Sequence, residues 1–331
     1  MNSLQQLFTS FIICWAISWS AYGQSWQVPS AAPQEDNSST RIKTDYHVGA
    51  PIHPAGKIDP KTLRPDPWNI QLRYHGITHS SEVAKTELDS LKAIKNQHKQ
   101  LSIDLKNSAT EDQTGGALTP VVSLDFQGNN FNGLVPPDNS LAVSDNGYIV
   151  SATNSRLLFY NQSGSQLMDE SFATFFGFLN LSGTYFDPKV LYDPVSNKFI
   201  LVVLNGTTPA NSKVVVAFST SSNPTNTWWA YVLDGNVLNN NTWFDFPSIG
   251  VSEDELYVSG NLFSSSNIFD QTLIYQIEKA NGFTGGTINW IYWSDVRDAN
   301  NSRDFTVVPV GYGFDGFIGP GIYFVSSRSG F

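Results

Sequence analysis

The sequence predicts an all-β fold: a β-propeller of four-stranded blades, incomplete in this chain, preceded by an extended linker and one amphipathic helix. Three observations carry that reading. First, the stretch Phe186 to Leu204, FDPKVLYDPVSNKFILVVL, joins two apolar runs, Lys189 to Tyr192 and Lys198 to Leu204, through Asp193-Pro194-Val195-Ser196-Asn197. Proline there fixes φ and the Asp and Asn side chains bond their own backbone, so the stretch reads as a hairpin. Second, from Phe199 to Leu204 both alternating faces are apolar, which suits a strand covered on both sides. Third, the same plan of an aspartate, an apolar strand, a turn and another apolar strand starts at Asp138, Asp187, Asp245 and Asp304. The intervals are 49, 58 and 59 residues, the range of one four-stranded blade with longer loops.

Taken in order, Met1 to Gly23 reads as a signal peptide, with the apolar run Leu7 to Trp19 followed by Ala21-Tyr22-Gly23 at the cleavage position. The run is interrupted by Thr9, Ser10 and Ser18, too polar for a membrane span, and no later segment is apolar for long enough to be one. Residues 24–80 are rich in proline (Pro29, Pro33, Pro51, Pro54, Pro60, Pro65, Pro67) and poor in aliphatics, the composition of an extended linker. Over residues 81–107 Ala84, Leu88, Leu91, Ile94, Leu101 and Leu105 keep one helical face, and 108–119 form a second linker. From residue 120 the blades begin. Val121 to Phe126 reads as a strand that latches the ring.

Within the blades the outer strands are legible as well. The second unit offers Lys213 to Thr220 and Trp228 to Asp234; the third, Thr272 to Ala280 and Ile288 to Trp293; the first, Ser155 to Gln162 and a less regular strand after Gln166. The fourth unit has only 28 residues, from Asp304 to Phe331, about half a blade, so the expectation is of a longer protein whose ring closes beyond this chain.

Composition narrows the function classes. The one cysteine, Cys14, lies in the leader, so the mature chain has neither disulfides nor thiol chemistry. Residues 1–116 carry 11 basic and 11 acidic side chains, and residues 117–331 carry 8 and 18, so the net charge of −10 belongs to the blades. Nucleic acid is a poor partner for such a surface. All five histidines (His47, His53, His75, His79, His98) precede the blades, and no G-x-S-x-G or H-E-x-x-H motif occurs, which disfavours nucleophilic and zinc-dependent hydrolysis.

The runs GLVPPDNSLAVSDNGYIVSATN, FDPKVLYDPVSNKFILVVL, STSSNPTNTWWAYVLD and TWFDFPSIGVSEDELYVSGNLF, in that order from Gly133, resemble the successive signatures of a broad group of secreted bacterial propeller-like proteins, many from Bacteroidetes. The chain departs from that pattern with Ser144 in place of glycine and Phe246 in place of tyrosine. The resemblance implies the fold, export and a secreted or outer cell-surface location. It brings no catalytic residues with it.

Candidate site residues follow from the repeat. Asp138, Asp187, Asp245 and Asp304 open the innermost strands, and equal offsets in a propeller place them at one mouth of its channel, where carboxylates bind a cation, hydrogen-bond a ligand or act on a glycoside. Alternatively each caps its own turn. Trp243, beside Asp245, is a candidate for stacking on a sugar ring, although such aromatics also pack between blades. Asp295, Asp298 and Asn300 offer oxygens at calcium-like spacing, without the glycine and terminal glutamate of a well-formed calcium loop. Two function classes result: a non-catalytic propeller binding an extracellular glycan or protein, and a carbohydrate-active hydrolase, sialidase-like or another glycosidase, using the inner carboxylates.

Overall fold

Strand formation begins earlier than composition suggests. The computed structural model describes residues 43–64, 73–74, 122, 124–131, 133–298, 300–311 and 321–326, all within the unit Glu35–Phe331. Strands β1 (Lys43–Val48) and β2 (Gly56–Ile58) lie inside the Pro-rich segment, so the extended-linker reading is corrected for these residues. Each adds a fifth strand to a sheet formed by later sequence. Edge strands of this kind are held by backbone hydrogen bonds and need no alternating apolar residues, while Pro51 and Pro54 sit between the two strands, where no ladder N–H is required. Gly49 is required by packing: a Cβ there would lie 2.1 Å from the ring of Trp290. The predicted leader at 1–23, helix at 81–107 and linker at 108–119 lie outside the described residues.

The short strands β3 (Arg73–Tyr74) and β4 (Leu134–Val135) pair in parallel. Val122 and residues 124–126 form no strand, which corrects the predicted latch there; Phe126 instead packs its ring 5.4 Å from that of Tyr160. Three antiparallel meanders follow. The first comprises β5 (Ser140–Val143), β6 (Ile149–Thr153), β7 (Arg156–Tyr160) and β8 (Gln166–Ser171). The second comprises β9 (Tyr185–Asp193), β10 (Lys198–Asn205), β11 (Lys213–Ser219) and β12 (Trp228–Asp234), with β2 outside β12. The third comprises β13 (Thr242–Val251), β14 (Glu255–Ser264), β15 (Phe269–Glu278) and β16 (Trp290–Arg297), with β1 outside β16. The four-strand grouping and the Asp193–Asn197 hairpin turn stand as read from the sequence. The run after Glu278 does not: it leaves the strand and forms the short helix α1 (Lys279–Thr284). In the fourth unit β17 (Val308–Pro309) pairs with β18 (Phe324–Val325). The described residues are thus all-β, built of several antiparallel sheets, and among them none closes on itself.

The sheets stack face to face, and each interface has its own core. Leu201 and Val203 of β10 point with Val215, Ala217 and Trp228 toward the first sheet, meeting Val150, Leu157 and Phe159. Val202 and Leu204 point the other way with Val216 and Tyr231, meeting Phe244, Val258 and Tyr275 of the third sheet. Strand β10 is therefore covered on both faces, as its doubly apolar sequence requires. A third, smaller core joins Tyr257, Ile274 and Val296 to Val307 of the fourth unit. The innermost strands lie side by side, β9 touching both β5 and β13.

A buried ion pair crosses the second interface. Lys279, buried at the start of α1, places its Nζ 2.9 Å from Asp193 Oδ2 and 2.6 Å from the Ser252 carbonyl. The other carboxylate oxygen of Asp193 accepts from the Val195 N–H in the β9–β10 turn. Removing one partner of such a pair leaves a buried charge unpaired, so Lys279→Met is expected to cost about 3–5 kcal/mol in urea unfolding. Lys279→Met/Asp193→Asn, which removes the charge and keeps the turn cap, should recover part of the loss. Equal destabilisation of the two variants would show that the ion pair is not what holds this corner. At the centre of the core, Val202→Asp, fully buried on β10, is expected to cost more than about 4 kcal/mol and abolish the cooperative melt. A normally melting variant would contradict coverage of that face.

Candidate functional site

Where the innermost strands begin, the backbone repeats a local conformation. Asp138, Asp187, Phe246 and Thr306 all take left-handed φ values, 42°, 50°, 55° and 57°. Asp tolerates this region because a short polar side chain bonds locally; Phe and β-branched Thr do so at a cost of about 1–3 kcal/mol and persist only when neighbours fix them. A bulge accompanies the turn in both complete ladders. In β9 the register slips between Phe186 and Lys189, in β13 between Asp245 and Ser248, so Asp187-Pro188 corresponds to Phe246-Pro247.

The backbone N–H at these positions is satisfied in two ways. Asn154, fully buried at the end of the first unit's second strand, accepts from the Asp187 N–H at 2.7 Å and donates to the Asp138 carboxylate. Asn261, its counterpart in β14, accepts from the Thr306 N–H at 3.0 Å and donates to Thr306 Oγ1 at 2.9 Å. In β10 the corresponding residue is Leu204, which has no acceptor, and there the Asp245 carboxylate accepts from the Phe246 N–H at 2.9 Å. Asp245 is therefore a local cap, as one reading of the sequence held, and its side chain also reaches the neighbouring acid.

Three of the four predicted aspartates converge. Asp138, Asp187 and Asp245 line one cleft of about 470 Å³ together with Pro136, Lys189, Trp243, Phe246 and Thr306. Asp304 does not line it. That residue stands two positions before the left-handed Thr306, is nearly buried, and its backbone bonds Val296 and Thr272. The expectation of four equivalent aspartates is thus corrected: the offset from the left-handed residue is zero in the first two units, one in the third and two in the fourth.

Crowding of the three carboxyls changes their acidity. Burial, then the negative charges of Asp245 and Asp138, and a hydrogen bond with Asp138 push the Asp187 carboxyl up to about 8, against a smaller lowering by the Asn154 bond. Asp245 is raised to about 6, again by burial first; the bonds from the Phe246 N–H and Asp187 oppose it, and the charge of Asp138 adds to it. The Asp187–Asp245 pair consequently retains a proton near neutrality, and the cleft presents both donors and acceptors.

Trp243 also enters the cleft wall, 5% exposed, with its ring 6.5 Å from Phe186 and 5.9 Å from Phe263. Its indole Nε1–H has no hydrogen-bond acceptor. Phe246, which the sequence reading passed over, is 48% exposed at the rim. Its signal in the sequence was the spacing D-F-P against D-P: prolines 188 and 247 mark the register, whereas the aspartates do not.

The proposed calcium loop is a different object. The Asp295 carboxylate is held 2.6 Å from Arg297 Nε and 2.8 Å from Arg303 Nε, which keep it below the usual carboxylate range. Asp298 Oδ1 accepts from the Asn300 and Ser302 N–H groups. Two arginines thus neutralise Asp295, and Asp298 caps its own turn. Among the described residues no group of three His, Cys, Asp or Glu side chains is arranged to hold a metal ion. No described helix is long and apolar enough to cross a membrane.

Comparison of the chain with models of protein families, with curated proteins and with solved structures found no match.

The cleft acids predict a pH dependence of stability. Both carboxyls hold protons more tightly when folded than at their ordinary value of 3.8, so stability is fullest below about pH 4 and falls as pH rises to about 8. Asp187→Asn preserves the left-handed backbone and the Asn154 bond while removing the charge. Thermal melts from pH 5 to 9 should show a falling midpoint for the native protein and a flatter, higher curve for the variant. Parallel curves would mean that these acids are not coupled.

Proposed function

We propose that residues 120–331 are blades of an exported β-propeller, akin to the secreted group whose motifs they resemble, and that the acid cleft binds a glycan without catalysis at the cell surface or outside the cell. What supports the propeller is the succession of four-stranded meanders, stacked face to face with their first strands side by side.

One observation carries the ligand class: three carboxyls and an exposed phenylalanine ring line the same cleft. Ammonium groups only donate and carboxylates only accept, whereas a sugar hydroxyl does both and its ring has an apolar face for Phe246. Lys189, which also lines the cleft, adds a donor. The hydrolase reading has less support. Its two carboxyls must stand at least about 5 Å apart to leave room for the sugar or a water. Asp187, the central acid, instead hydrogen-bonds to Asp138 and Asp245, which leaves no such gap in either pair that includes it.

A glycan array with the purified protein, followed by calorimetry on the best ligand, tests this. Binding is expected, with affinity reduced roughly tenfold by Phe246→Ala, the worth of one stacked ring. Chromogenic glycosides should not turn over. Hydrolysis lost in Asp187→Asn would replace the binding reading by the enzymatic one, and an array without any signal would overturn it.

A further inference from the structure

Beside the acid cleft the core surfaces as an aromatic patch. Phe263 of β14 is buried and forms its floor, with ring centroids 6.3 Å from Phe246, 6.2 Å from Phe269 and 6.5 Å from Phe305. Phe305 packs edge-on against Phe269 at 5.1 Å and remains 46% exposed; Ile268, which precedes Phe269 in the chain, is 67% exposed. Large apolar side chains exposed together, rather than singly, mark a contact surface. This one is continuous with the cleft, because Phe246 and Thr306, the latter adjacent to Phe305, line the cleft wall.

The charges around this surface are satisfied among themselves. Arg303 bonds Asp270 at 2.7 Å and Asp295 at 2.8 Å, and Arg297 bonds Asp295. What is left facing outward is neutral and flat, which suits an uncharged ring rather than an ionic side chain.

We propose that the shelf of Phe246, Phe263, Phe269 and Phe305 is a second subsite, holding the next ring of a neutral oligosaccharide whose first ring occupies the acid cleft. The inference rests on the glycan reading of that cleft and extends it from a sugar to a chain of at least two rings. Phe246, between the two subsites, contacts both rings; Phe305 contacts only the second.

The test is calorimetry with β-linked glucose, mannose and N-acetylglucosamine oligomers of one to four rings, using the full chain. The native protein should gain about tenfold in affinity between one ring and two. Phe305→Ala should lose that gain while binding the single ring unchanged, and Asp187→Asn should weaken every length alike. Phe305→Leu, which keeps apolar packing against Phe269 and lacks the flat ring, should behave as the alanine variant does with an unaltered melt. A length gain that survives in both Phe305 variants overturns the shelf and leaves the cleft reading in place, as does tighter binding of a peptide than of any saccharide on the shelf. Absence of saccharide binding at every length overturns both.

Discussion

Strand β10 is apolar on both faces, and the need to bury both organises everything around it. A sheet with one wet face can stand alone against a single partner. A sheet whose central strand reads Phe-Ile-Leu-Val-Val-Leu needs a partner on each side, and the chain supplies the first sheet on one side and the third on the other. That requirement recurs in the third sheet, whose far face takes Val307 and the strands of the fourth unit. Stacking of this kind is directional: it brings the first strands of successive sheets together at one side, and whatever those strands carry at their starts must share a small space.

What they carry is costly. A left-handed phenylalanine, a left-handed threonine and three carboxyls in contact oppose stability, and the surrounding atoms are arranged to hold them. Asn154 joins two left-handed residues, Asp187 and Asp138, Asn261 bonds Thr306 through both its N–H and its hydroxyl, and Asp245 substitutes where Leu204 cannot. Caps alone would need one acceptor per turn. Asp138 and Asp187 do more than that, since the N–H of Asp187 is already bonded by Asn154 and its carboxyl is left to meet its neighbours. Strain and like charge are thus retained together at one cleft, where the neighbours and not the local sequence hold them.

The strands were legible because burial on two faces writes itself into sequence as runs of Val, Ile, Leu and Phe. The four-strand grouping and the hairpin turn at Asp193 follow from that signal and from turn chemistry. Strands β1 and β2 were not legible, since an edge strand is held by its backbone and by contacts such as His47 on Tyr292 and Lys57 over Trp229, which leave no periodic pattern. The convergence of Asp138, Asp187 and Asp245 was readable from the repeat, but the register was not. Phe-Asp recurs at 186–187 and 244–245, and the pairs align naturally by identity. The bulge shifts one against the other, and with it Phe246, the residue that gives the cleft its apolar rim, takes the place expected of an acid.

The same shift explains why the cleft is asymmetric. A ring of equivalent aspartates would present only charge, repel itself equally on all sides and invite a cation. Moving the acid back by one residue in the third unit and by two in the fourth puts Phe246 and Thr306 at the left-handed position, and the cleft keeps three of the four carboxyls beside an exposed ring. Burial then holds a proton among the acids and makes them donors as well as acceptors. On the proposed glycan reading, mixed hydrogen-bonding groups and an exposed ring match the two kinds of face that a pyranose has. The departure from the repeat, more than the repeat itself, makes the cleft asymmetric.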